Sequence, residues 1–366
     1  MEDYSVNEND FEKQNIEGPI SNEESVSRIF KKPTVKEASI LFSVVLIIFM
    51  LLSNVFIRLP LGDYYFRAIS SEILLVMVPP ILFLIYKKYD IRKVLRLNRI
   101  SFVNIILIVF ITCFSIPVVG ILNLANMVII KLLFGSTNIT QVEIPDIVTL
   151  IKGFIVIGMS AAICEEVLFR GAIMRGYEKL GKTKAIIITA FLFGLMHHDF
   201  QRFLGTFLLG ILMGFLVYRA DSIYAGMVAH FTNNSLVVLL SYGLGKLTSL
   251  GKMGGINGGT GSEADQSLSM LLSMPKIQLI TTLGIFGVAF LCFLAAFAGL
   301  VYAFLRNTKV PVDNGFETRE ENKAKGLLWV IPGVLVIVLI YLLQGISLAG
   351  VENEFLSSII KVLGLK

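Results

Sequence analysis

Long apolar blocks, and not alternation, dominate the pattern of this chain. Such blocks recur at 38–57, 69–86, 102–133, 147–163, 184–198, 203–218, 222–242, 277–305 and 327–346. A helix that crosses a bilayer needs about 20 predominantly apolar residues. The strands of a β-barrel would read as short alternating segments instead. The pattern therefore predicts an all-α fold, a polytopic transmembrane helix bundle of about eight or nine spans. Three blocks depart from the simple form. The block at 102–133 is long, with Pro117 and Gly120 as kink points. The block at 147–163 runs straight into a charged helix at 164–180. The block at 184–198 is short for a full crossing.

Composition narrows the class. The chain is 55% hydrophobic and 16% charged, with a mean hydropathy of +0.77, against roughly 25% charged in soluble domains. That excludes a soluble globular, disordered, collagenous or coiled-coil chain. The formal net charge of +5 raises nucleic acid as a partner, but the basic residues lie between apolar blocks. Most of the 32 Lys and Arg fall at 28–36, 87–99, 170–184, 219 and 306–325, and none falls at 135–146. Lys and Arg mark the inner side of a membrane protein. The expectation is a multi-pass plasma-membrane protein, bacterial, with a cytosolic N-terminus. Its partners would be the lipid bilayer and no nucleic acid.

The organisation follows from the same pattern. Residues 1–37 read as a cytosolic tail, acidic and then basic. The first apolar block is too long for a cleavable signal. Residues 38–242 form a helical membrane domain. Eight glycines between 243 and 261 suggest a flexible loop over 243–276. Residues 277–346 give two more transmembrane helices around a charged loop at 306–325. An amphipathic tail at 347–366 suits the membrane interface. Cys113, Cys164 and Cys292 all lie in apolar stretches and imply no disulfide framework.

A charge at the bilayer centre costs about 2.5–3.5 kcal/mol on the insertion scale. Polar residues between 147 and 243 nevertheless gather in three places. These are Glu165, Glu166 and Arg170; His197, His198 and Asp199; and His230, Asn233 and Asn234. Glu166 and Arg170 are i and i+4 and share a helix face. Glu165 is turned about 100° away, free to face elsewhere. His230 and Asn234, like Phe193 and His197, repeat the i, i+4 spacing. Asn233 competes with Asn234. His198 reads as a supporting or interfacial group, Arg202 as interfacial, and Asp199 as the start of a loop.

Two chemistries fit these residue types. A glutamate and a histidine can activate water as a general base, with a second histidine and an asparagine donating to an oxyanion. Alternatively, Glu165, His197 and His230 make a zinc set with water in the open position. Either hydrolyses an amide inside a shielded pocket. A structural packing role, or proton or solute transport, would also use such residues.

The three motifs resemble those of the CPBP intramembrane protease family, also called Abi. They are EExxxR (Glu165, Glu166, Arg170), FxxxH (Phe193, His197) and HxxxN (His230, Asn234). The family takes its name from CaaX protease and bacteriocin processing, and includes the type II CaaX prenyl endopeptidases. The matching stretch is about 150–240. The resemblance implies a site in a cavity open to the cytosolic leaflet, with Glu165 and His197 activating water. It implies that His230 and Asn234 hold the oxyanion or complete a metal site, with Glu166 and Arg170 orienting the first motif. Zinc and a metal-free mechanism both remain open. The implied partner is a peptide or protein substrate, in CaaX-type processing, peptide maturation or bacteriocin self-immunity. A non-catalytic immunity or binding protein on the same scaffold is the alternative, and a secondary transporter a further one.

Overall fold

The computed structural model describes residues 31–137, 143–253, 263–309 and 322–350. Every regular element among them is helical. We number them α1 (Val35–Arg58), α2 (Tyr64–Tyr86), α3 (Ile91–Val94), α4 (Phe102–Phe134) and α5 (Ile147–Leu180). There follow α6 (Lys182–Met196), α7 (Phe200–Ala220), α8 (Ile223–Met253), α9 (Glu263–Ser273), α10 (Lys276–Asn307) and α11 (Lys323–Leu348). Eight of these are long and apolar enough to cross a membrane, namely α1, α2, α4, α5, α7, α8, α10 and α11. The short block became α6, whose 15 residues span roughly 22 Å, less than a hydrocarbon core of about 30 Å.

Local chemistry sets the helix starts. Thr34 and Glu37 form a reciprocal capping box on α1. Asp63, Ser101 and Asp146 accept backbone N–H groups at the starts of α2, α4 and α5. Asp199, in the short loop after α6, does the same for α7. The glycine-rich segment departs from expectation. α8 runs on to Met253 and α9 forms at Glu263–Ser273, both inside the stretch read as loop. Leu240, Leu244 and Leu247, at helical spacing on an exposed apolar face, carry α8 through its glycines. The expectations for the first 30 residues, for 310–321 and for the tail beyond 350 lie outside the described residues.

The inner half of α5 is the centre of the bundle. Leu168, Phe169, Ile173 and Met174 are fully buried there. They pack in one core with Phe42 and Leu46 of α1, Leu192 and Phe193 of α6, and Ile337 of α11. α7 lies against α6, α4 and α8, while α10 lies on α4.

The segments that the basic residues marked as inner meet at one end of the molecule. Glu178 pairs with Arg96 at 2.6 Å, Arg175 at 2.7 Å and Lys32 at 3.5 Å. Arg96 also pairs with Asp221 at 2.7 Å. Arg219 donates to the carbonyl of Leu305, and Lys323 to that of Lys179. At the opposite end, Lys131 pairs with Asp265 and Ser136 bonds to the carbonyl of Leu348. Charge distribution and packing therefore divide the chain into the same two ends.

Candidate active site

Three helix segments of π geometry lie around the motif residues: Glu72–Met77, Phe154–Ser160 and Val167–Ile173. Each inserts an extra residue per turn and re-aims the side chains beyond it, a feature frequent at functional sites. Two of them flank Glu165 and Glu166 on α5. The third begins at Glu72 on α2 and packs against the stretch Ala161–Glu166.

Glu166 is wholly buried and held from two sides. Its Oε1 accepts from Arg170 Nη1 at 2.7 Å and lies 3.1 Å from His230 Nδ1. Arg170 is also fully buried; it donates through Nη2 to the Gly210 carbonyl at 3.1 Å. Its guanidinium sits 4.5 Å from the centre of the Phe193 ring. A buried charge pair survives desolvation only with such additional partners. Gly226 on α8 allows the approach, because a side-chain carbon there would fall on Glu166 Oε2.

Phe193 is the hub between motifs. Its ring meets His197 edge-on at 4.8 Å, His230 at 5.7 Å and Phe169 at 5.2 Å. His197 ends α6, and its Nδ1 bonds to the Phe193 carbonyl at 2.9 Å. A carbonyl only accepts, so Nδ1 carries the proton and Nε2 keeps its lone pair. His230 is buried, and Glu166 fixes its ring through Nδ1. Asn234 donates to the Ile157 carbonyl at 2.8 Å and accepts from Asn233 at 3.0 Å. Asn233 therefore orients the amide of Asn234.

Glu165 is different. Its Oε2 is buried with no hydrogen-bond partner among the described residues. Glu166 Oε2 is unpartnered as well, against Gly226, so the adjacent carboxylates differ in their clamps: Glu166 is locked through Oε1 by Arg170 and His230, and Glu165 is not part of that ion pair. Seven residues separate His230 from the start of α8 at Ile223, so the site lies about 10 Å along the helix from that end of the bundle.

The flanking candidates sit further out. His198 adopts a left-handed backbone with φ of 41°, and its carbonyl accepts from Gln344 on α11 at 2.8 Å. Arg202 is exposed and pairs with Asp199 at 3.3 Å. Cys164 is buried beside the motif. Among the described residues, no group of three His, Cys, Asp or Glu side chains stands together as a metal-binding set. Nδ1 of His197 and of His230 is engaged by protein, which leaves Nε2 of each open. No chemical step below passes through zinc.

One residue of this region escaped the sequence reading. Glu72 lies inside the second apolar block, within electrostatic reach of Glu165, and its Oε2 is likewise buried and unpartnered. Its only signal was a single carboxylate in a run of apolar residues.

Comparison with known protein families places a match over residues 147–236, to the family described as type II CAAX prenyl endopeptidase Rce1-like. The match covers α5 to α8 and includes all three motifs. No curated protein and no solved structure matches the chain.

Proposed function

We propose, on the premise that residues 147–236 form an Rce1-like CAAX prenyl endopeptidase domain, that this multi-pass membrane protein is an intramembrane endopeptidase. The observation that carries the reading is the split between the two adjacent carboxylates. Each has a buried Oε2 with no partner among the described residues, but Glu166 is fixed through Oε1 by Arg170 and His230, while Glu165 stands outside that clamp. A locked ion pair serves as scaffold, and a buried acceptor in search of a donor suits a general base.

In this reading Glu165 takes a proton from water while the water oxygen bonds to the peptide carbonyl carbon. The lone pair on His197 Nε2 shares that same proton, so Glu165 and His197 act together on one O–H of the water. The carbonyl electron pair moves onto oxygen, where His230 Nε2–H and the second amide hydrogen of Asn234 donate to it. With both ring nitrogens protonated, His230 carries a charge that Glu166 balances. The intermediate then collapses, the carbon–nitrogen bond breaks, and the proton on Glu165 passes to the departing amine. Phe193 packs between the histidines and excludes water from the reacting atoms.

In this reading cleavage occurs near the cytosolic face of a bacterial plasma membrane, which the distribution of basic residues and the depth of the site support. The substrate class is a membrane-associated peptide or protein. The test is cleavage of a peptide library by purified protein in liposomes. Glu165→Ala is expected to abolish turnover while membrane insertion stays normal. Full cleavage by that variant removes Glu165 from the mechanism.

A further inference from the structure

Five buried side-chain oxygens around this stretch of α5 lack a hydrogen-bond partner among the described residues: Glu72 Oε2, Glu165 Oε2, Glu166 Oε2, Ser160 Oγ and Ser235 Oγ. Buried polar atoms are satisfied in the great majority of structures, so each orphan needs an explanation. The serines are hydroxyls that rotate and find partners easily. Glu166 Oε2 lies against Gly226, and that carboxylate is already held through Oε1 by Arg170 and His230. The other two carboxylate oxygens are acceptors that require a donor. They stand on facing elements, Glu72 at the first residue of its π segment on α2 and Glu165 on α5. They feel one another electrostatically, and Cys164 lies within reach of both.

The remaining neighbours offer little. On α5, Glu166 and Arg170 are committed to one another. From α1, the apolar Val45, Leu46, Phe49 and Met50 share a core with Ile73 and Val76 of α2 and Cys164 of α5. No protein donor among the described residues bonds either oxygen, so the pair makes a place for a molecule that brings two donors. Water is the smallest such molecule, and a buried water needs two to four polar partners.

We propose that Glu72 is a further catalytic residue of the site, which accepts one O–H of the attacking water while Glu165 accepts the other. The proposal rests on the endopeptidase reading above. A water held at both hydrogens has its lone pair directed at the substrate carbonyl. The proton that moves goes to Glu165, and the hydrogen bonded to Glu72 stays on the oxygen that becomes part of the new carboxyl group. Glu72 gains and loses no proton in the cycle. Its contribution is orientation, for which a misplacement of about 1 Å costs around a hundredfold in rate.

The experiment measures kcat and KM separately for Glu72→Gln, Glu72→Leu and Glu165→Ala in liposomes, with cleavage of one reporter peptide. Glu72→Leu keeps the apolar packing but removes the acceptor, and is expected to lower kcat about a hundredfold with KM unchanged. Glu72→Gln keeps an acceptor oxygen, so kcat should recover to within about tenfold of wild type. A packing role would give the reverse order, since leucine suits an apolar helix contact better than glutamine. Full kcat in Glu72→Leu, or a loss confined to KM, overturns the role of Glu72 while the endopeptidase reading stands. Full activity in Glu165→Ala overturns that reading itself, and the water site with it.

Discussion

α5 and α10 are nearly the same object in sequence. Each is a helix of more than 30 residues, rich in apolar side chains, and each qualifies as a membrane span. In the bundle they differ sharply: 39% of the most apolar stretch of α5 is buried against protein, but only 6% of that of α10. Apolar content says only that a helix enters the membrane. The polar groups on α5 decide where it sits, because a buried carboxylate or guanidinium must meet partners from other helices. Glu166 and Arg170 draw α6, α7 and α8 around them through Phe193, Gly210 and His230. On α10 the charged and amide groups are at the ends, so its middle needs no protein neighbour beyond α4.

The largest effect on this contrast should come from the ion pair. Arg170→Ala leaves Glu166 buried with only His230 beside it, and removal of one partner of a buried pair costs about 3–5 kcal/mol. Thermal unfolding in detergent should show this as a marked fall in midpoint. The same change at Arg306, exposed near the end of α10, should leave the midpoint within the scatter of the measurement. Equal losses at both positions would erase the distinction between the two helices.

A smaller effect is expected at Gly226. An added methyl there meets Glu166 Oε2, and overpacking of this kind typically costs about 1–3 kcal/mol. Because the displaced atom belongs to the scaffold that holds His230, Gly226→Ala should lower cleavage by more than its stability loss alone explains. Parallel measurement of unfolding and turnover separates the two. Full turnover would mean that Glu166 shifts freely without moving the imidazole.

The sequence made the Glu166–Arg170 face readable because both residues lie on one helix, where spacing alone fixes their relation. The number of spans was readable for a similar reason, since length and apolarity are local. The short block at 184–198 was recognisable as α6 because a helix of that length cannot reach across. What spacing could not show was any relation made across helices. Glu72 has no partner in its own block, and its meaning appears only when α2 is laid against α5. The bond between His230 and Glu166 crosses helices in the same way. The π segments were invisible too, because one extra residue per turn leaves no mark in the apolar pattern. The glycine-rich stretch misled in the opposite direction. Each glycine costs a helix about 1 kcal/mol, yet the leucines between them sufficed to extend α8.

The smallest expected effect tests the other half of the comparison. Ile285 lies in the middle of α10 with 65% of its surface exposed, which in this setting means exposed to lipid. Truncation to alanine removes contact with acyl chains and opens no cavity in protein. Substitutions away from packed features usually stay within about 0.5 kcal/mol. Ile285→Ala should therefore change neither the unfolding midpoint nor cleavage. Leu192→Ala in the core beside the site should cost several times as much, because the space left behind stays partly empty. A loss at Ile285 as large as at Leu192 would show that the exposed face of α10 is covered in the membrane by another protein surface. The two apolar helices would then differ in what buries them, and no longer in whether they are buried.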